Sequence, residues 1–498
     1  MSKIPFKKTF PIMLASTLAM TSPLFAQEVM SKSDIPTITI YQGGIALVAE
    51  SRELELSNQQ EQLFLPNVAP ETLMESLMIA LSPKDASNPT PRITEKKLNL
   101  NLLSPESLIQ YSVGKSVKVI TPYNGKEKTE EATILSNNGG LLLQYKDRVE
   151  LDLPKDARLA FTEIPAGLNT TPVLSVILKD LPDANAQYRA DLNYLTRGIS
   201  WNADYIAKLN DETKTLQLEG WATLNNQSGM NYPDFNIQLV AGELNILTAH
   251  APRVRTEMLM KSSAAMDMQA FSAGATAMGD YHLYKIPYRA TLNQQEQTQF
   301  SLFNNAGIPF TKRYTFDNMS PTQRISANPA RQNANISIHF TNNDASQLGF
   351  PLPEGIVRLY QAPTDNSEGT VFLGEDRMRA TPNKQPVVLN TGNAFDLTLQ
   401  RKQTQFAMIN EDEWEVSYTL TLNNAKDEVA TTIVKEGFYP SSNTNWEITE
   451  SSQKPLIQSD TAIWSLDIPA KGQAKISYSV RYTLFQEESK PAPVRGQK

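Results

Sequence analysis

The chain has no cysteine and only three histidines in 498 residues. The first absence excludes disulfides, thiolate metal sites, thiol nucleophiles and a lipid-modified cysteine. The second leaves His250, His282 and His339 as the whole stock for imidazole chemistry, so a His-rich zinc site would need all of them. Reaction motifs are missing too: there is no His-Glu-x-x-His helix, Gly-x-Ser-x-Gly elbow, phosphate loop or dinucleotide glycine fingerprint. After the N-terminal segment, no apolar run approaches the ~18 residues that a membrane helix needs. Positive charge is in deficit, with a formal net charge of -7, which disfavours nonspecific nucleic-acid binding. No catalytic residue and no cofactor is therefore assigned.

What is present begins at the N-terminus. Lys3, Lys7 and Lys8 precede an apolar stretch from Phe10 to Met20, which ends in Pro23-Leu24-Phe25-Ala26. A positive start, an apolar run too short to span a bilayer and a small residue at the end form a secretory signal peptide over residues 1–26, cleaved near Ala26-Gln27. Cleavage takes the formal charge from -7 to -10, because three lysines and no acids leave. The expected location is exported, periplasmic or secreted, with no transmembrane segment in the mature chain. What remains is long enough for two or three domains of roughly 100 to 200 residues each.

Period-two alternation dominates the rest. Trp414, Val416, Tyr418, Leu420 and Leu422 share one face, and Ala474, Ile476, Tyr478, Val480, Tyr482 and Leu484 share another. Strands with one apolar face belong to antiparallel sheets. Asn423-Asn424, Asn390-Thr391-Gly392-Asn393 and Ala470-Lys471-Gly472 supply turn residues, which predicts a C-terminal β-sandwich over 334–485 and a polar tail over 486–498. Further upstream, Trp201 to Leu209 and Leu216 to Leu224 form a hairpin about Asn210-Asp211-Glu212-Thr213, and the sheet continues to Gly242. Thr37 to Leu56 reads as strand, bent at Gly43-Gly44, and is expected to pair with the Trp201 region. A central sandwich over 161–250 would take strands from 37–65, between an N-terminal β segment at 27–103 and a connecting β segment at 281–333.

Two stretches differ from this pattern. Ser104-Pro105 opens a short helix through Tyr111. The strands Ser116 to Ile120, Ala132 to Leu135, Leu141 to Gln144 and Arg148 to Leu151 then suit a small inserted β-barrel over 104–160. From 251 to 280 the chain is rich in Met, Ala and Ser and reads as a mobile loop. Met258, Met260, Met266 and Met268, between His250 and His282, also supply thioether and imidazole ligands suited to Cu(I). Among acids, Glu243, Glu354, Glu375 and Asp376 could form the carboxylate pair of a carbohydrate-active hydrolase. Glu411-Asp412-Glu413 reads as a solvated turn able to hold calcium if folded onto carbonyls. His339, in the strand Ile336 to Phe340, reads as a structural histidine.

Several runs carry a resemblance. Tyr194-Leu195-Thr196-Arg197-Gly198-Ile199-Ser200-Trp201-Asn202-Ala203-Asp204-Tyr205 is followed by Leu218-Glu219-Gly220-Trp221-Ala222-Thr223-Leu224 and Leu239-Val240-Ala241-Gly242-Glu243-Leu244-Asn245. Further on come Gly349-Phe350-Pro351-Leu352-Pro353-Glu354-Gly355, Phe372-Leu373-Gly374-Glu375-Asp376, Gly392-Asn393-Ala394-Phe395-Asp396, and Tyr478-Ser479-Val480-Arg481-Tyr482. Together they resemble the domain of unknown function 4139 family of exported bacterial proteins, over roughly Leu192 to Tyr482. The same part is similar to mucoidy-inhibitor-like proteins, whose coiled coil this chain lacks. The family has no established activity, so no catalytic residue is carried over. Within the motifs, Trp201 and Trp221 are expected in a sandwich core, and Gly198 and Gly242 in turns or bulges. Asp204, Asp376 and Asp396 are expected to accept from backbone donors in turns.

The resulting expectation is an all-β chain with two immunoglobulin-like β-sandwich regions, a small inserted β-barrel and a mobile Met-rich loop. Its expected function is noncatalytic binding or scaffolding in the cell envelope, with an envelope protein or a surface glycan as partner. Tyr360, Tyr439 and Trp446 are the candidate contact aromatics. The alternatives are the hydrolase and periplasmic copper binding.

Overall fold

Alternating residues can bury their apolar half only as strands, and a computed structural model of the chain is almost entirely strand, with one short α-helix among the described residues. It describes residues 35–242, 276–278, 281–319, 331–361, 369–438 and 444–484. The signal-peptide segment, Glu243, His250, the four paired methionines, Tyr439 and the polar tail lie outside the described residues. The chain divides into two units, one holding Leu47–Arg197 and Gln227–Phe235, the other holding Thr39–Ala46, Gly198–Asn226 and Asn236 onward.

The N-terminal part supplies β1 (Thr37–Tyr41), β2 (Ile45–Leu56), β3 (Gln62–Pro66), β4 (Met78–Pro83) and β5 (Arg92–Asn99). After the helix α1 (Pro105–Gln110) come β6 (Ser116–Tyr123), β7 (Lys126–Ser136), β8 (Leu142–Gln144), β9 (Val149–Leu151) and β10 (Arg158–Ala160), then β11 (Val173–Lys179) and β12 (Ala186–Arg197). In the first unit β2, β12 and β4 are successive neighbours, and β11 lies between β3 and β5. Helix α1 starts as its sequence dictates: Ser104 Oγ accepts from Ser107 N at 3.1 Å, and Ser107 Oγ accepts from Ser104 N at 2.8 Å, a reciprocal cap ahead of Pro105. The expected small barrel is instead an open sheet, β10-β6-β7-β8-β9, around Val117, Val119, Ala132, Ile134, Leu143 and Tyr145. Its end strands β9 and β10 are three residues each, too short to carry the tilted ladder that closes a barrel.

The second unit is built on the hairpin of β13 (Ile199–Asn210) and β14 (Thr215–Asn226). Their register runs unbroken from Ile199 opposite Asn226 to Asn210 opposite Thr215. Asn210 Oδ1 closes the turn by accepting from Glu212 N and Thr213 N. Trp201, Ala203, Tyr205, Ala207 and Leu209 are all buried, as the alternation requires. Next come β15 (Tyr232–Ala241), β16 (Thr276–Met278), β17 (Tyr281–Leu292) and β18 (Glu296–Pro309). β1 does not pair with the Trp201 strand as expected: β13 lies between β14 and the later strand β21 (Gly355–Gln361), whereas β1 neighbours β15. Trp201 is fully buried and donates from Nε1 to the Val240 carbonyl at 3.1 Å. Trp221 lies on the opposite face of its strand and is only half-buried, so one of the two expected core tryptophans is not in the core.

The remaining strands are β19 (Thr311–Met319), β20 (Arg331–Thr341), β21 (Gly355–Gln361), β22 (Val371–Met378), β23 (Pro386–Met408), β24 (Glu413–Asn424), β25 (Ala430–Gly437), β26 (Thr444–Ser451), β27 (Leu456–Gln458), β28 (Thr461–Ile468) and β29 (Gln473–Leu484). β18-β14-β13-β21-β22 form one sheet, with β13 and β21 parallel. A nine-stranded sheet runs β26-β29-β24-β23-β20-β19-β25-β28-β27. It folds over on itself, since Tyr418, Leu420, Ile476 and Val480 share one core with Phe316, Val434 and Trp464. This is the expected sandwich, but it already includes β19 and so begins before residue 334. The expected turn at Asn390–Asn393 is absent, because β23 runs straight through it. Gly392, at a φ of 118°, and register shifts in the pairing with β20 absorb those residues as bulges.

Candidate functional site

The sequence-nominated residues are scattered over the fold. His282, on β17, is half-buried and its pKa is lowered by that burial; its proposed copper partners all lie outside the described residues. His339, on β20, shares a 2.9 Å hydrogen bond with Ser337 Oγ. Burial, and secondarily Arg313 and Lys435, lower its pKa, consistent with a structural histidine. Among the described residues, no three His, Cys, Asp or Glu side chains are grouped to hold a metal ion. Glu411-Asp412-Glu413 forms a turn anchored by Asn410, whose Oδ1 accepts from Asp412 N and whose Nδ2 donates to Glu413.

The described candidate carboxylates sit on or directly beside the antiparallel pair β21 and β22. Glu354 pairs with Arg377 at 2.6 Å, and Glu375 with Arg358 at 3.4 Å. Asp376 accepts from Asn390 through both the backbone N–H at 2.7 Å and Nδ2 at 2.9 Å. Asp204 lies in mid-strand rather than in a turn, accepting from Thr223 Oγ1 at 2.6 Å and Arg358 at 3.0 Å. Asp396 is exposed on β23. The first four of these acids brace strands; a strand position lets a side chain cross to its neighbour, which sequence spacing does not reveal.

Of the three candidate aromatics, Tyr360 packs on Phe372 with ring centroids 5.4 Å apart, and Tyr439 lies outside the described residues. Trp446 is the one placed in a cavity. It stands on β26, one end of the nine-stranded sheet, and β27 is the other end. Among the described residues β26 pairs with β29 alone and β27 with β28 alone. Because the sheet folds over, these two ends border one cavity of about 670 Å³, lined by Trp446, Ile448, Ile457, Glu447, Glu450 and Lys454 among others.

Local chemistry holds the two ends in place. Trp446 stacks on Phe438 at 4.5 Å and donates from Nε1 to Asp460 Oδ1 at 3.3 Å. Trp464 Nε1 donates to the Gln453 carbonyl at 2.9 Å, fixing the connection between β26 and β27. Leu456 and Ile457 are 66% and 48% exposed, so β27 offers apolar side chains as well as a backbone edge that no other described strand pairs. Three carboxylates, Glu447, Glu450 and Asp460, and one ammonium, Lys454, are among the lining residues.

Sequence reasoning nominated Trp446 but missed β27. The available signal was Pro455, directly before the apolar pair Leu456-Ile457: proline within sheets is confined to edges, strand starts and bulges.

A family model described as a domain of unknown function (DUF4139) matches residues 190–484, a span that contains the whole groove. No curated protein matches the chain. No helix among the described residues is long and apolar enough to cross a membrane.

Proposed function

Since the chain belongs to the DUF4139 family, whose description assigns no activity, its geometry has to carry the reading, and we propose that it is a binding protein that captures an extended peptide segment of an envelope partner. The observation behind this is the groove between β26 and β27, two strands that end one sheet among the described residues and line the same cavity. An exposed edge is a template for a further strand: main-chain hydrogen bonds supply affinity, and flanking side chains supply specificity. β26 is eight residues long, enough to template an added strand of about 5–6 residues. The excess of carboxylates selects a segment carrying lysine or arginine. Export rests on the N-terminal pattern, and it would place the groove where envelope proteins are met.

The test is a titration with a Lys-Val alternating decapeptide, followed by amide hydrogen exchange. Protection confined to 444–451 and 456–458 supports strand addition. The double variant Glu447→Lys/Glu450→Lys alters two exposed side chains, so stability should stay within about 0.5 kcal/mol while affinity for the basic peptide drops. Unchanged affinity in that variant, or protection elsewhere, sinks the reading.

A further inference from the structure

A second cavity, in the other unit, lies where β2 breaks its own alternation. Its inward positions read Val48, Glu50, Arg52, Leu54 and Leu56, so two opposite charges occupy an apolar register. Their side chains are 7% and 1% exposed, and Arg52 Nη2 donates to Glu50 Oε1 at 2.9 Å. The arginine is turned inward: Nη1 donates to the Pro66 carbonyl, and Nη2 also donates to the Asn67 carbonyl at 3.1 Å. Asn67 takes a φ of 57°, so strained backbone is spent on presenting these acceptors. Glu50 meets Arg52 through Oε1, and no described residue bonds its Oε2. That carboxylate lines a cavity of about 590 Å³, within the roughly 300–1,000 Å³ of small-molecule sites.

The opposite wall is built to hold still. Gly229 has a φ of 84°, and a Cβ there would overlap the Pro70 ring, so the backbone approaches as closely as only glycine allows. Tyr232 donates to Ser228 Oγ at 3.2 Å and meets Phe235 edge-on at 5.4 Å. Between the walls the polar lining comes from Asn67, Thr170, Thr171 and Asn231, and the apolar lining includes Met230 and Pro233.

These features narrow the ligand. Among the described residues, Glu50 and Arg52 are the only charged ones lining the cavity, and they cancel, so a charged ligand would be desolvated without a counter-charge. A carboxylate oxygen together with hydroxyls and amides matches groups that both donate and accept. Methionine and proline surfaces match the C–H face of a ring. We infer that this cavity binds a neutral saccharide of one or two rings. The site is independent of the strand groove and stands or falls separately.

The test is saturation-transfer NMR on the purified full chain with glucose, N-acetylglucosamine, maltose and cellobiose, with glucuronate and glucosamine as charged controls. Transfer to at least one neutral sugar, exceeding that to both controls, is the expected result. Asn231→Trp fills the cavity from an exposed position without touching the ion pair, and it should weaken that binding about tenfold or more. Glu50→Gln should weaken it too; if that variant fails to fold, Asn231→Trp still decides. Transfer to no neutral sugar, a preference for either charged control, or unchanged binding in Asn231→Trp overturns the assignment.

Discussion

At the scale of single residues, the second unit carries one buried ion pair of high consequence. Arg401 donates to Glu436 Oε2 at 2.9 Å, with the two side chains 14% and 0% exposed. Tyr478 donates its hydroxyl to the same carboxylate at 3.0 Å, and the Arg401 guanidinium sits 4.3 Å over the Tyr418 ring. Burial pushes the Glu436 carboxyl above its ordinary pKa, against the opposing pull of Arg401 and Tyr478. A raised carboxyl holds its proton to higher pH when folded than when unfolded. Its contribution is therefore fully present below the ordinary 4.5 and is lost as pH rises through the raised value. Urea midpoints measured between about pH 4 and 7 should thus fall less with rising pH in Glu436→Gln than in the parent chain. At neutral pH, Arg401→Met should cost about 3–5 kcal/mol, because it strands a buried charge. Arg401→Met combined with Glu436→Gln should recover part of that loss, and strict additivity of the two substitutions would mean that the pair is not coupled.

At the scale of elements, two buried asparagines clip strand ends together by the same device. Asn424 Nδ2 donates to the carbonyls of Glu428, Ile468 and Pro469 at 2.8, 3.1 and 3.1 Å, while Oδ1 accepts from Lys426 N at 2.9 Å. Asn342 does likewise, with Nδ2 donating to Phe350, Thr381 and Pro382 carbonyls and Oδ1 accepting from Gly349 N. Asn424→Ala leaves several acceptors unpaired and should lower stability by about 2–3 kcal/mol in chemical denaturation; Asn424→Asp, which also lacks the donor, should not rescue it. The parallel pair β13–β21 gives a sharper contrast. A Cβ at Gly355 would overlap the Ala203 carbonyl, whereas one at Gly220 meets only the Phe303 ring. Gly220→Ala should cost about 1–3 kcal/mol as the ring shifts. Gly355→Ala meets backbone, which cannot step aside, and equal losses for the two variants would contradict this account. Asn424 was legible from the sequence as a turn residue. Its three acceptors were not, since two of them, Ile468 at the end of β28 and Pro469 just after it, are more than forty positions away.

At the scale of the whole molecule, sheets assembled from distant segments set the folding behaviour. β11 pairs with β3 across more than a hundred residues, and Tyr314 of β19 lies opposite Thr432 of β25. Such topology makes folding slow, so refolding by dilution from urea should proceed over about milliseconds to seconds or longer, followed by intrinsic fluorescence; a microsecond phase accounting for the full signal would refute this. The sequence by itself determined that the chain is strand rather than helix, which faces of β13, β14, β24 and β29 are buried, and where the Asn210 turn falls. Each of these depends on residues one or two apart, and alternation reports that range directly. Only the tertiary structure decided that the inserted unit stays an open sheet, that Asn390–Asn393 is a bulge, and that β1 keeps away from β13. It also decided both candidate sites. Trp446 stood out as an aromatic, but whether it lines a groove depends on β26 and β27 being the two ends of one folded-over sheet. Glu50 and Arg52 left a visible irregularity in β2, yet the cavity beside them exists only because Gly229–Phe235 lines the same space. Strand order and edge identity are set by pairings between remote segments, whose energies depend on all the alternatives at once, and no local pattern encodes them.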